Sequence, residues 1–187
     1  QLTGAEPAGA LSALPPDRLL SAFNMNELLI KLTAQHDPHP EIYDLYQQAL
    51  TGLAMRADME PVLRRFERAL LERLGFGLEL HVEAAEGGAV QAGRYYHFRP
   101  GFGVISAQRG AAGAVSGRLL LLLAGGAAIE DAGDLRAART LMRAAIDHCL
   151  EGRELKTRAV ARSVARYASA KRGDRSVKLS SAFTTLA

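Results

Sequence analysis

The chain has 187 residues, of which 48% are hydrophobic and 23% are charged, and its net charge is +3 at neutral pH. This size and composition suit one domain with a buried core and at most a small appendage. The longest apolar run, Leu119–Ala124, falls far short of the ~18 residues of a membrane helix, and no signal peptide is evident. A single cysteine excludes an internal disulfide framework and is typical of a reducing compartment, so we expect a cytoplasmic protein with no membrane partner.

The positive charge is concentrated towards the C-terminal end of the sequence. Residues 151–187 contain nine Lys or Arg and three acidic residues, a local net charge of +6, whereas residues 1–150 sum to −3. This pattern suits an anionic partner for that end, and it suits equally a solvated helix face followed by a basic tail.

The N-terminal part predicts an extended lead-in and two helices. Residues 1–16 are rich in glycine and proline, which is typical of a linker. Asp17 can cap a helix that reaches about Ala34, and the next helix spans Glu41 to about Met55. Asn26 and Glu27 interrupt the apolar run of the first helix, so we expect them to brace a neighbouring chain segment by hydrogen bonds rather than to act in catalysis.

His36 and His39 lie in the proline-containing break between these helices. Two histidines three residues apart could belong to a metal site, but a closed zinc site needs four ligands and no matching Cys/His pair occurs elsewhere. We therefore expect no metal and no cofactor.

The strongest helix signal is the stretch Asp58–Leu78. Asp58 can accept hydrogen bonds from the first free N–H groups, Pro61 suits the first turn, and Gly75 supplies a left-handed residue at the end. Apolar residues recur at steps of three and four, opposite an arginine-rich face. The apolar stripe is Leu63, Phe66, Leu70 and Leu74, and the polar face is Arg64, Arg65, Glu67, Arg68, Glu72 and Arg73.

After Gly75 the pattern changes from helical to strand-like. Residues 78–83 alternate apolar and polar side chains, glycine-rich turns follow, and residues 95–98 and 104–105 are aromatic or β-branched. We predict a small β-hairpin insertion over about 78–108.

Two more helices are predicted after this insertion. Ser116 can cap a short helix over Gly117–Ala124, and Asp134 can cap a longer helix whose apolar face ends at Cys149. His148 and Cys149 are adjacent, but neighbours on a helix point in different directions, so a buried structural cysteine is favoured over a catalytic one.

The last helix is predicted from Arg153 to about Ala170, followed by a basic tail over 171–187. The residues expected to pack inward are Leu155, Ala159, Val160 and Val164, and those expected to form a basic stripe are Lys156, Arg162 and Arg166, flanked by Arg153 and Arg158. The predicted fold class is therefore mainly α, with about five to six helices in a domain over 17–170 and a small β-hairpin insertion.

Four stretches of this chain form an ordered set of motifs. They are A-F-N-M-N-E-L-L at Ala22–Leu29, D-P-H-P-E-I-Y-D at Asp37–Asp44, E-P-V-L-R-R-F-E-R-A-L-L-E-R-L-G-F-G at Glu60–Gly77, and L-E-G-R-E-L-K-T-R at Leu150–Arg158. The set resembles the RecO family, the bacterial recombination mediators of DNA repair, over roughly residues 1–166. The resemblance implies a RecO-like helical domain.

Two parts of the family pattern are missing from this sequence. In the resemblance, residues 1–16 match the exit from an N-terminal OB-fold, a platform for single-stranded nucleic acid, and that fold would precede Gln1. Some relatives hold zinc with cysteines in the hairpin region, where this chain has none. We therefore expect weakened DNA binding and no metal.

The resemblance also implies partners and contact residues. RecO-like proteins bind single- and double-stranded DNA, anneal strands, join RecR, help to load RecA, and bind the acidic C-terminal tail of single-strand-binding protein. The resemblance implies that Arg64, with Arg65 nearby, contacts the tail carboxylate and that Leu50 and Leu53 line the pocket. Lys156 and Arg158 match the basic K-T-R step and are the first expected DNA contacts, which Arg162 and Arg166 extend along the basic stripe.

No enzyme motif is found: the sequence has no P-loop, no GxGxxG after a strand and no nucleophile–base pair at a recognisable spacing. The leading hypothesis is a non-catalytic recombination mediator. The alternative is a helical protein–protein adaptor whose basic end only aids solubility. A third hypothesis is a hydrolase that uses His148 or the glutamates. Salt-dependent retention on single-stranded DNA would separate the first two.

Overall fold

The computed structural model describes residues 13–34, 37–55 and 57–167. The lead-in predicted over residues 1–16 lies outside this part except for its last four residues. His36 and the basic tail over 171–187 also lie outside it.

Within these ranges the fold is mainly α-helical with a small antiparallel sheet, which confirms the predicted fold class. The helices are α1 (Leu19–Leu32), α2 (Pro40–Ala54), α3 (Met59–Arg73), α4 (Gly117–Ala124), α5 (Ala132–Cys149) and α6 (156–167). A 3-10 turn over Pro16–Arg18 precedes α1, so Asp17 lies inside this turn and not at the helix N-cap. No helix of the described part is long and apolar enough to cross a membrane.

The sheet has three strands in the order β2-β1-β3, namely β1 (Tyr95–Arg99), β2 (Gly103–Ala107) and β3 (Val115–Ser116). The β1–β2 hairpin confirms the second half of the predicted insertion. Residues 78–83 form only isolated bridges, Val82 to Ala89 and Glu83 to Val104, and not a strand. The third strand was not predicted, because two residues are too few to show a period.

The core is built around α3, which packs against both α2 and α5. Phe66, Leu70 and Leu71 are 0–1% exposed, and Ala138 and Met142 of α5 are fully buried. Gly75 has a φ of +80°, the left-handed conformation predicted at the end of α3. Cys149 is buried and free, as predicted.

The predicted helix caps have mixed outcomes. Ser116 caps α4 as predicted, since its Oγ accepts a hydrogen bond from the Leu119 N–H at 3.2 Å. The cap of α5 is Asp131, which accepts from the Asp134 N–H at 2.8 Å, so the prediction of Asp134 was wrong by one turn. Asp58 stands at the N-cap of α3, but its side chain makes no capping hydrogen bond.

The bracing role predicted for Asn26 and Glu27 is confirmed. Asn26 Oδ1 accepts a hydrogen bond from the Tyr46 hydroxyl at 2.5 Å. Glu27 accepts from the backbone N–H groups of Lys156 and Thr157 at 2.7 and 2.9 Å, and from the Thr157 hydroxyl at 2.8 Å. Burial alone would raise the pKa of Glu27, but these hydrogen bonds lower it below its usual value. A carboxylate of α1 therefore caps α6.

The last helix begins at residue 156 and not at Arg153. Arg153 lies in the preceding turn, where it donates a hydrogen bond to the Lys31 carbonyl at 2.5 Å. Leu155 is buried as predicted, but Val160 and Val164 are 51% and 57% exposed, so the prediction that they pack inward was wrong. Alanines and arginines of α6 face the rest of the molecule instead, and Ala159 is exposed.

Candidate functional site

A groove runs along the N-terminal half of α3, between this helix and the loop from α4 to α5. Its α3 wall carries Arg64, Arg65 and Arg68, and its wider end has a volume of about 370 Å³. The apolar part of its lining is Pro61, Val62, Leu122, Leu123, Ile129 and Leu135. We call this feature the arginine groove.

The three arginines have different environments. Arg65 is exposed and forms no ion pair with any described residue. Arg68 is half-buried, pairs with Glu72 at 3.0 Å and donates to the Ala124 carbonyl at 3.3 Å. Arg64 is only 7% exposed. Of the three, Arg65 is therefore the guanidinium most available to a ligand.

Arg64 forms a buried ion pair with Glu67, which is one helical turn further along α3. Its Nη2 lies 2.8 Å from Glu67 Oε1, and Glu67 is 5% exposed. Burial raises the pKa of Glu67 to about 7, an effect that the positive charge of Arg64 opposes and the negative charge of Glu60 reinforces. Arg64 Nε and Glu67 Oε2 have no hydrogen-bond partner among the described residues. The pair is therefore desolvated but only half satisfied.

Leu50 and Leu53, which the resemblance assigns to the peptide pocket, belong to the hydrophobic core. Leu50 is 9% exposed and Leu53 is not exposed at all. Their contact with a peptide stays a prediction, and the apolar lining of the arginine groove comes instead from α4, the following loop and the start of α5. These lining residues could not be predicted from the sequence, because they lie about sixty positions after α3.

A second depression, of about 480 Å³, lies between α1, α3, α5 and α6. We call it the basic cleft. Its cationic lining is Arg64, Arg139, Arg143, Arg158 and Arg162, and its acidic lining is Asp17, Glu60 and Glu67. Arg139 pairs with Glu60 at 3.3 Å and Arg158 pairs with Asp147, whereas Arg143 and Arg162 form no ion pair within the described ranges. The cleft can therefore accept an anion.

The four residues expected to contact DNA do not share one environment. Lys156 is exposed at the start of α6, and Arg162 lines the basic cleft. Arg158 also lines the cleft but is engaged by Asp147. Arg166 is exposed and donates to Ser163 Oγ at 3.4 Å.

The cleft adds two arginines of α5 that sequence analysis did not single out. Arg139 and Arg143 are four residues apart and so share one helical face, a spacing that was visible in the sequence. No group of three or more His, Cys, Asp or Glu residues in the described part is arranged to hold a metal ion.

The fold and these two depressions define a mainly helical domain whose surface presents arginines beside apolar or buried acidic residues. The family pattern described as "Recombination protein O C terminal" matches residues 15–159. The chain belongs to the RecO family, which confirms the resemblance seen in its sequence.

Individual relatives are similar over most of this chain. The DNA repair protein RecO of Alkalilimnicola ehrlichii is 43% identical over 169 residues, which cover 88% of this chain and 66% of the relative. The protein of the same name from Methylococcus capsulatus is 41% identical over 162 residues, covering 87% and 66%. That of Halorhodospira halophila is 42% identical over 166 residues, covering 87% and 70%. The chain thus spans about two thirds of the length of these relatives.

Proposed function

We propose that this chain is the helical part of a DNA-repair protein that acts without catalysis, by binding DNA and a partner protein. Membership of the RecO family and the names of its relatives support the repair role. The observation that carries the proposal is the arginine groove, in which the exposed Arg65 stands at the edge of an apolar surface.

The groove suits the end of an acidic peptide. A terminal carboxylate can accept charge-assisted hydrogen bonds from the arginine wall, while a terminal apolar side chain lies against Val62, Ile129 and Leu135 at the wider end of the groove. Asp58 and Glu130 also line this wider end and would repel acidic residues there, which favours a direction of binding that keeps the acidic part of the peptide away from them. The acidic tail of single-strand-binding protein, which ends in Phe, is the ligand that the family resemblance implies.

DNA is the partner proposed for the basic cleft and α6. Arg143 and Arg162 form no ion pair within the described chain, and Lys156 and Arg166 are exposed on α6. Such residues can neutralise phosphates, which gives binding that depends on salt and not on base sequence. By the same resemblance, the proposal extends to joining RecR and helping RecA to load in the cytoplasm.

Peptide binding tests the first part of this proposal. We expect a fluorescent acidic peptide ending in Pro-Phe to bind the full chain, and Arg65→Ala to weaken binding about tenfold, as the loss of one charge-assisted contact would. Arg73→Ala, at the exposed end of α3, is the matched control and should leave the affinity unchanged. An affinity that is indifferent to both substitutions would exclude the arginine groove as the site.

Salt-dependent binding to single-stranded DNA tests the second part. Replacing Lys156, Arg162 and Arg166 together with Gln should reduce the slope of log affinity against log salt by about 2. Arg99→Gln removes an exposed charge from the sheet and should leave that slope unchanged. Peptide binding without any DNA binding at low salt would favour the adaptor hypothesis instead.

A further inference from the structure

Arg64 lies between the two depressions and lines both of them. On one side it belongs to the wall of the arginine groove, and on the other it is held by Glu67 inside the basic cleft. Because the two side chains are 7% and 5% exposed, water cannot easily take the place of either partner. A ligand that uses Arg64 must therefore compete with Glu67, and more weakly with Glu60, whose Oε2 lies 4.0 Å from Arg64 Nη1.

We propose that Glu67 is a built-in competitor for Arg64, which the terminal carboxylate of a bound peptide displaces. This inference rests on the proposed binding of an acidic peptide in the arginine groove. The pair is exchangeable because it is only half satisfied: Arg64 Nε and Glu67 Oε2 are buried without a partner among the described residues. A carboxylate that takes the place of Glu67 and binds the guanidinium at two nitrogens would satisfy a donor that Glu67 leaves unpaired.

Displacement makes peptide binding dependent on pH. Without Arg64, the buried Glu67 carboxylate loses its closest positive charge, so its protonated form is favoured and a proton is taken up from solvent. The charged groups that share the basic cleft with Glu67 are Glu60 and Arg64 from α3, Arg139 and Arg143 from α5, Arg158 and Arg162 from α6, and Asp17 before α1. Arg139 and Arg158 oppose this protonation, while Glu60 promotes it.

The sign of the effect follows from linkage. The pKa of Glu67 is about 7 in the free protein and rises further when Arg64 is withdrawn, so peptide binding takes up a proton. Affinity is then highest below pH 7 and falls as the pH rises through the pKa of the bound state. We expect a loss of about five- to tenfold between pH 6.5 and 8.5.

The test compares the full chain with Glu67→Gln, using an N-acetylated acidic peptide that ends in Pro-Phe and has no histidine. Glu67→Gln should bind about fivefold more tightly at pH 8.5 and lose the pH dependence, because a neutral amide holds Arg64 more weakly than a carboxylate does. Glu86→Gln is the matched control: it removes an exposed carboxylate that lines neither depression, and its pH profile should match the wild type.

Calorimetry of the wild type in two buffers of different ionisation enthalpy provides a second readout that needs no variant. At pH 7.5 it should show uptake of a fraction of a proton per peptide bound. Peptide binding that depends on Arg65 but shows neither proton uptake nor any effect of Glu67→Gln would overturn this inference and leave the proposed function in place. Absence of peptide binding would overturn both.

Discussion

The burial of Glu67 has a consequence for folding that is independent of any ligand. Its pKa is about 7 in the folded protein and close to 4.5 in the unfolded chain. The folded state therefore binds this proton more tightly, and Glu67 favours folding at low pH and loses that contribution as the pH rises through 7. A rise of the pKa from 4.5 to about 7 corresponds to about 3 kcal/mol, of which about 2–3 kcal/mol is lost between pH 5 and pH 8.

Glu67→Gln isolates this contribution, because glutamine is nearly isosteric and does not titrate. We expect the free energy of unfolding of the variant, minus that of the wild type, to increase by about 2–3 kcal/mol from pH 5 to pH 8. Urea unfolding followed by far-ultraviolet circular dichroism at four pH values would measure it. Urea unfolding of Glu72→Gln at the same four pH values measures how much the loss of an exposed carboxylate changes stability, since the side chain of Glu72 is 58% exposed. A difference between wild type and Glu67→Gln that does not change with pH would refute the assignment of a buried, desolvated carboxylate.

Two further predictions concern single contacts of the fold. Glu27→Ala should remove the cap of α6 at a cost of about 1 kcal/mol and speed amide hydrogen exchange in residues 156–167 but not in α3. Equal exchange of residues 156–167 in Glu27→Ala and in the wild type would contradict this role. Gly117→Ala should lower stability by about 1–3 kcal/mol, since a Cβ there would overlap the backbone carbonyl of Gln91. In Gly77→Ala, by contrast, the new Cβ meets nothing within 4 Å, so its melting temperature should stay close to that of the wild type.

The elements that could be predicted from the sequence are those with local causes. The apolar stripe of α3, the left-handed Gly75 and the Ser116 cap each depend on residues within one or two helical turns, and all three are present. The hydrogen-bonding role of Glu27 could be predicted, because a polar group inside an apolar run must be paired. Its partners in α6 could not be predicted, since they are about 130 residues away.

The burial of Arg64 shows where helical periodicity stops being informative. On a helix with one apolar stripe, Arg64 and Glu67 fall on the polar face and are expected in solvent. In the structure α3 packs against α5 as well as α2, so part of that polar face is covered and the two residues pair beneath it. A second packing surface on a helix is a tertiary property, and only the i, i+3 spacing of opposite charges pointed to the pair. For the same reason, the lining of the arginine groove that comes from a distant loop could not be predicted from the sequence.

The position of the pair on α3 links the two proposed binding surfaces. Among the residues that line the groove or the cleft, Arg64 is the one common to both. An anion in the basic cleft would repel the Glu67 carboxylate and favour its protonated form, which would weaken its hold on Arg64. Arg64 would then be more available to a carboxylate in the arginine groove. An anion that binds Arg64 directly from the cleft would have the opposite effect, because it would compete with that carboxylate for Arg64. By reciprocity, a peptide in the groove would change the affinity of the cleft by the same factor. If both proposed sites are used, one buried acidic residue would couple the ligand of the groove to the ligand of the cleft.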